Sequence, residues 1–209
     1  MTNPQSGKLI IFLHGLGSGG SSMAPLGDVW QAALPDACFV APDAPFPCHR
    51  GSGRQWFDTI GITEANRPQR VATARSAFDL TIGDVIVDHG FAEALPRVAF
   101  VGFSQGAIMA LDAVASGRWP VGATVAFSGR LATPEPLNPS PSTKLLLVHG
   151  SADLAMPASE TERTAAAFEA HGIAAETVIL PGLGHTISAD GAQQACAFLV
   201  WALMAAVPA

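Results

Sequence analysis

Short apolar runs alternate with longer helix-prone runs along the whole chain. The short ones cover residues 8–13, 37–41, 97–101, 122–127, 144–148 and 175–180, and each stops near a Gly, Pro or Ser-Gly signal. Continuous apolar runs of this length, bounded by turn residues, predict strands buried on both faces. The longer runs, 23–34, 69–90, 105–116, 158–171 and 189–206, predict helices. Gly117 and Gly172 stand where a C-terminal glycine cap would sit, and Pro157 stands where a helix starts well. Strand followed by helix, repeated, predicts an α/β fold: a mostly parallel sheet of about six strands with helices on both faces. Two stretches break the alternation. Residues 42–68 are rich in Gly, Pro and Arg, and 133–143 hold four of the prolines. Long irregular loops in a compact domain are usually functional.

The central chemistry lies where one strand meets one helix. Gly102-Phe103-Ser104-Gln105-Gly106 fits Gly-x-Ser-x-Gly. The pattern alone is weak, but a strand pattern precedes it directly and a helix pattern comes directly after it. So sharp a turn lifts the Ser104 hydroxyl onto a helix N-terminus, where the helix dipole favours a developing anion. A serine needs a base. Of the six histidines, only His149, His171 and His185 come after Ser104, as the order Ser, acid, His requires. His171 falls near a helix end and His149 closes a strand, both ordinary structural positions. His185, in the loop after the last strand, lies on the same rim as Ser104 and is the expected base. Asp153, in the loop after the strand 144–148, lies between them in sequence and is the expected orienting acid. Two backbone amides are needed for the oxyanion. Gln105, next after the serine, supplies one. The glycine-rich loop 14–20 supplies the other, and Leu16 is the candidate. That loop lacks the Gly-Lys-Ser/Thr ending of a phosphate-binding loop.

Composition narrows the function classes. Hydrophobic residues make up 49% and charged residues 13%, which excludes a disordered chain. Eleven Lys and Arg against 17 Asp and Glu give a net charge of −6, a poor match to nucleic acid. The three cysteines form no Cys-x-x-Cys, so a zinc knuckle or a redox pair is not expected, and reduced thiols point to a cytoplasmic setting. The first apolar run is too short for a signal-peptide core. The longest apolar stretch, 195–208, falls short of the ~18 residues that span a bilayer, so no membrane span is expected.

Leu13-His-Gly-Leu-Gly17, Trp56-Phe-Asp58, Gly102-Phe-Ser-Gln-Gly106, His149-Gly-Ser-Ala-Asp153 with Pro157, and Gly182-Leu-Gly-His185 occur in that order. Together they resemble the phospholipase/carboxylesterase family of α/β-hydrolases, which includes small bacterial carboxylesterases and acyl-protein thioesterases. The resemblance covers nearly the whole chain. It implies an α/β-hydrolase fold, hydrolysis of carboxylic esters or thioesters, and no metal or cofactor. It puts Ser104, Asp153 and His185 at the triad positions and Leu16 and Gln105 at the oxyanion positions. Residues 1–209 are expected to form one domain without a separate cap, with 42–68 as an irregular substrate-side loop. The family usually has one or two extra N-terminal strands; only about seven residues precede the first strand here, 8–13, so a truncated sheet edge is expected. The family's loop after Trp-Phe-Asp often holds an acyl chain with apolar residues, whereas Thr59-Ile-Gly-Ile-Thr63 is succeeded here by Glu64-Ala-Asn-Arg67.

Substrate contacts are expected from Trp56, Phe57 and Met23, although loop aromatics often serve only to pin a loop. The expected function is a serine carboxylesterase acting on small to medium esters through an acyl-enzyme. A thioesterase acting on acyl-proteins or acyl-CoA is the alternative, and a non-catalytic ligand-binding relative is the second. A homodimer is expected if one face of the last helix is exposed.

Overall fold

The computed structural model describes residues 7–49 and 51–204. In chain order the elements are β1 (Lys8–Leu13), α1 (Ala24–Trp30), β2 (Ala37–Val40), β3 (Phe46–Pro47), β4 (Arg54–Gln55), α2 (Arg67–Asp88), β5 (Val98–Phe103), α3 (Gln105–Ala115), β6 (Ala123–Phe127), β7 (Lys144–Gly150), α4 (Ser159–Glu169), β8 (Ala175–Leu180) and α5 (Ala189–Met204). Six strands make one sheet in the order β2-β1-β5-β6-β7-β8. Every pairing in it is parallel.

Side chains alternate across a strand, and β1 shows why the sheet is covered twice. Leu9, Ile11 and Leu13 join the core formed with α2, α3 and α4. Ile10 and Phe12 join the core formed with α1 and α5. Both sets must be apolar, which is why the strand reads as one unbroken apolar run. All of α3 is buried. A helix apolar on every side belongs in such a place. Its one acid, Asp112, is paired by Arg75 at 2.8 Å and by Arg118 at 2.8 Å. A buried carboxylate without such partners would be strongly destabilising.

The six strands of this sheet all run the same way, so their C-terminal ends share one rim. The segments after β1, β5, β7 and β8 carry Leu16, Ser104, Asp153 and His185 to that rim. Differences from the sequence expectation are local. The helix expected over 23–34 ends at Trp30, and turn residues lead from there to β2. β7 runs on to Gly150, because β8 pairs with it as far as Leu180. Inside the stretch expected to be irregular, β3 and β4 form a small antiparallel ribbon. No helix among the described residues is long and apolar enough to cross a membrane. Trp201 and Met204 on α5 are exposed.

Candidate active site

Ser104 stands between β5 and α3 with φ 51° and ψ −113°. This is a sparsely populated backbone region for a residue with a side chain. Its neighbours make the kink possible. A Cβ on Gly102 would lie 2.5 Å from the Ala107 backbone, and one on Gly106 would run into the Leu13 carbonyl. Only glycine lets the start of α3 press against the end of β1. The Ser104 amide donates to the Phe127 carbonyl at 2.9 Å, which anchors the turn to β6.

The Ser104 hydroxyl meets His185 Nε2 at 2.9 Å. His185 Nδ1 meets Asp153 Oδ2 at 2.7 Å. The carboxylate can only accept, so Nδ1 carries the proton and Nε2 is left to accept from the serine. The Asp153 side chain is fully buried, whereas that of His185 is partly open. Asp153 Oδ1 accepts from the Ala155 and Met156 amides, each at 2.9 Å. Burial alone would raise the Asp153 pKa; hydrogen bonds from His185, the Met156 amide and the Ser128 hydroxyl outweigh it and hold the carboxyl below its ordinary range. The loops bearing acid and imidazole are tied together, with Ala152 N donating to the Leu183 carbonyl at 2.9 Å. Phe103 packs against the His185 ring, the centroids 5.0 Å apart.

The two candidate oxyanion amides lie on facing segments. Gly15, beside Leu16, is so close to the turn that a Cβ on it would touch Phe103 at 3.0 Å and Ser104 at 3.6 Å. Neither the Leu16 nor the Gln105 amide has a hydrogen-bond partner among the described residues. The Gln105 side chain is buried and clamps the stretch after β4. It accepts from the Trp56 amide at 2.8 Å and donates to the Phe57 carbonyl at 2.8 Å. His14 stiffens the other segment: it bonds the Gly15 carbonyl through Nδ1 at 2.8 Å, and the Ala44 amide donates to its Nε2 at 3.0 Å. Burial pushes the His14 pKa down.

Trp56 and Phe57, expected as substrate contacts, are core residues instead. Both are buried, with Trp56 packed on Phe78 at 5.4 Å and donating from Nε1 to the His14 carbonyl at 2.9 Å. Met23 does line the groove that opens at Ser104 and His185. This groove encloses about 1130 Å³ between α1 and α5, with a mainly apolar wall that includes Leu26, Trp30, Ile187 and Cys196. None of the described residues of 42–68 lines it, so the loop expected on the substrate side does not border this groove. Among the described residues no His, Cys, Asp and Glu side chains are grouped as a metal ion would need.

Sequence reasoning missed three side chains around the site: His14, Ser128 and His149. His14 and His149 lie inside motifs that carry the family resemblance, but nothing in those motifs says that His14 meets the Ala44 amide or that His149 meets Met156 and Thr161. Ser128, with Gly129, reads only as the turn that ends a strand.

A parallel sheet of this order, with a strained serine between its central strand and a buried helix, defines an α/β-hydrolase. The chain belongs to the phospholipase/carboxylesterase family, whose model matches residues 2–203. It is 33% identical over 183 residues to esterase YpfH of Escherichia coli (strain K12), covering 86% of this chain and 76% of that protein. It is 27% identical over 197 residues to acyl-protein thioesterase 1 of Neurospora crassa, covering 85% of this chain and 79% of that one. The crystal structure of esterase PE8 superimposes with a TM-score of 0.80 at 32% identity, covering 95% of each chain. The protein is therefore a serine-type ester hydrolase of the carboxylesterase and thioesterase kind.

Proposed function

We propose that the protein is a carboxylesterase in which Ser104 is the nucleophile, His185 the general base and Asp153 the acid that orients it. One observation carries this reading: a continuous hydrogen-bonded chain from Ser104 through His185 to Asp153 opens onto an apolar groove. As the Ser104 oxygen attacks the ester carbonyl, its proton passes to His185 Nε2. The oxyanion is met by the amides of Leu16 and Gln105, at roughly 3 kcal/mol per donor. The tetrahedral intermediate collapses, the alcohol leaves with the proton from His185, and Ser104 is acylated. Water then attacks with His185 again as base, which releases the acid and restores the serine.

The acyl chain lies along the groove between α1 and α5. Both helices descend from the rim. The seven helical steps from Ala189 to Cys196 cover about 10 Å, the reach of a medium-length chain. Thioester cleavage is the second reading. It uses the same groups, and the likeness to an acyl-protein thioesterase favours keeping it.

The test has two parts. A fluorophosphonate should label the folded protein at Ser104; failure to label favours a ligand-binding relative. With 4-nitrophenyl esters, kcat/KM should rise from acetate to octanoate, at most roughly fourfold per methylene buried. Cys196→Trp should lower the octanoate-to-acetate ratio by about tenfold or more. A ratio that does not move would place the chain elsewhere. Acyl-CoA and 4-nitrophenyl esters of equal length, compared by kcat/KM, separate the two readings.

A further inference from the structure

A second imidazole stands behind the candidate acid. His149, near the end of β7, is 1% exposed. Its Nε2 bonds the Met156 carbonyl at 2.9 Å, and the same nitrogen is 3.3 Å from Asp153 Oδ2. Its Nδ1 meets the hydroxyl of Thr161, a buried residue of α4, at 2.9 Å. A carbonyl can only accept, so Nε2 carries the proton, and the Thr161 hydroxyl donates to the bare Nδ1.

This arrangement acts on both oxygens of Asp153. His149 holds the carbonyl of Met156, the residue whose own main-chain amide, one peptide earlier, donates to Oδ1. The Nε2–H dipole lies beside Oδ2, the oxygen that faces His185. An apolar residue at 149 would leave the Met156 carbonyl unpaired in a buried place and free the turn to relax. The carboxylate would then rotate away from His185 Nδ1.

We infer that His149, held in one tautomer by Thr161, is a positioning residue that keeps Asp153 Oδ2 in line with His185. The inference rests on the triad proposed above. The measurements are Ser104 labelling, kcat and KM on 4-nitrophenyl acetate, and melting followed by circular dichroism. His149→Leu should lower kcat by roughly a hundredfold, the scale of a small misplacement at a reacting group, with KM shifted less than about twofold. His149→Gln places an N–H where Nε2–H was and should recover about tenfold of that loss. A merely structural role would not show this recovery. Thr161→Val is close to isosteric and folds if His149→Leu does not; it should lower kcat by about fivefold. Three results overturn the inference: unaltered kcat in folded His149→Leu, a glutamine variant as poor as the leucine one, or unaltered kcat in Thr161→Val. Absence of Ser104 label on the wild-type protein sinks the triad and this inference with it. A labelled protein indifferent to changes at 149 and 161 sinks the inference alone.

Discussion

Ser104 and Ser128 are the same residue type at the same level of two adjacent strands. Phe103 and Phe127 are register partners in β5 and β6, and each is followed by a serine at positive φ, 51° and 46°. Each serine amide donates to the next strand along, to Phe127 O and Val148 O, both at 2.9 Å. The two chains of residues leaving these kinks differ. After Ser104, α3 begins at once, and the half-buried hydroxyl faces the groove and His185. After Ser128 no regular element starts until β7, and the buried hydroxyl serves Asp153. Backbone strain at the rim is thus not by itself a mark of the proposed nucleophile. A helix N-terminus and a facing imidazole are what separate the two.

The largest effect that could break this contrast is on turnover. Ser104→Ala should reduce kcat on 4-nitrophenyl acetate by ~10⁴-fold or more. The same deletion at Ser128 should cost about tenfold, through a less well-held Asp153. Equal losses would erase the distinction. Stability sharpens it further, because glycine relieves positive-φ strain at either site. Ser104→Gly should stabilise the fold by ~1 kcal/mol in urea denaturation. Ser128→Gly also loses a hydrogen bond to a buried carboxylate and should destabilise by ~1 kcal/mol. The smallest effect is in acid. Asp153 has a folded-state pKa below its unfolded value, so its stabilisation is full above about pH 4 and is lost as pH falls through the folded value. Removing the Ser128 donor raises that folded value. The acid-dependent loss of stability in Ser128→Ala should therefore be smaller than in the wild type and be complete at a higher pH, as followed by circular dichroism.

Periodicity and punctuation made the main sheet legible. β1 and β8 have the bounds that their apolar runs predict, and the other strands differ by one or two residues. Ser104 was legible because the turn that creates its geometry demands glycines close by in sequence. Ser128 was not, because Ser128-Gly129 reads only as a strand end and its partner Asp153 lies 25 residues on (153 − 128 = 25). Trp56 and Phe57 misled because they sit in a polar, proline-rich stretch that reads as surface. Their burial depends on α2 folding over them and on a clamp from Gln105, neither of which has a local signature. The groove was invisible for a similar reason: its walls come from two helices at opposite ends of the chain.

Gln105 joins two functions in one residue. Its main-chain amide is the proposed oxyanion donor, while its side-chain amide holds the backbone of Trp56 and Phe57 beneath. Any loosening of that layer, even at Phe78 on the far side of Trp56, is mechanically linked to the placement of that proposed donor. Variants that merely soften the interior should therefore register first as slower turnover, before any change in melting is seen.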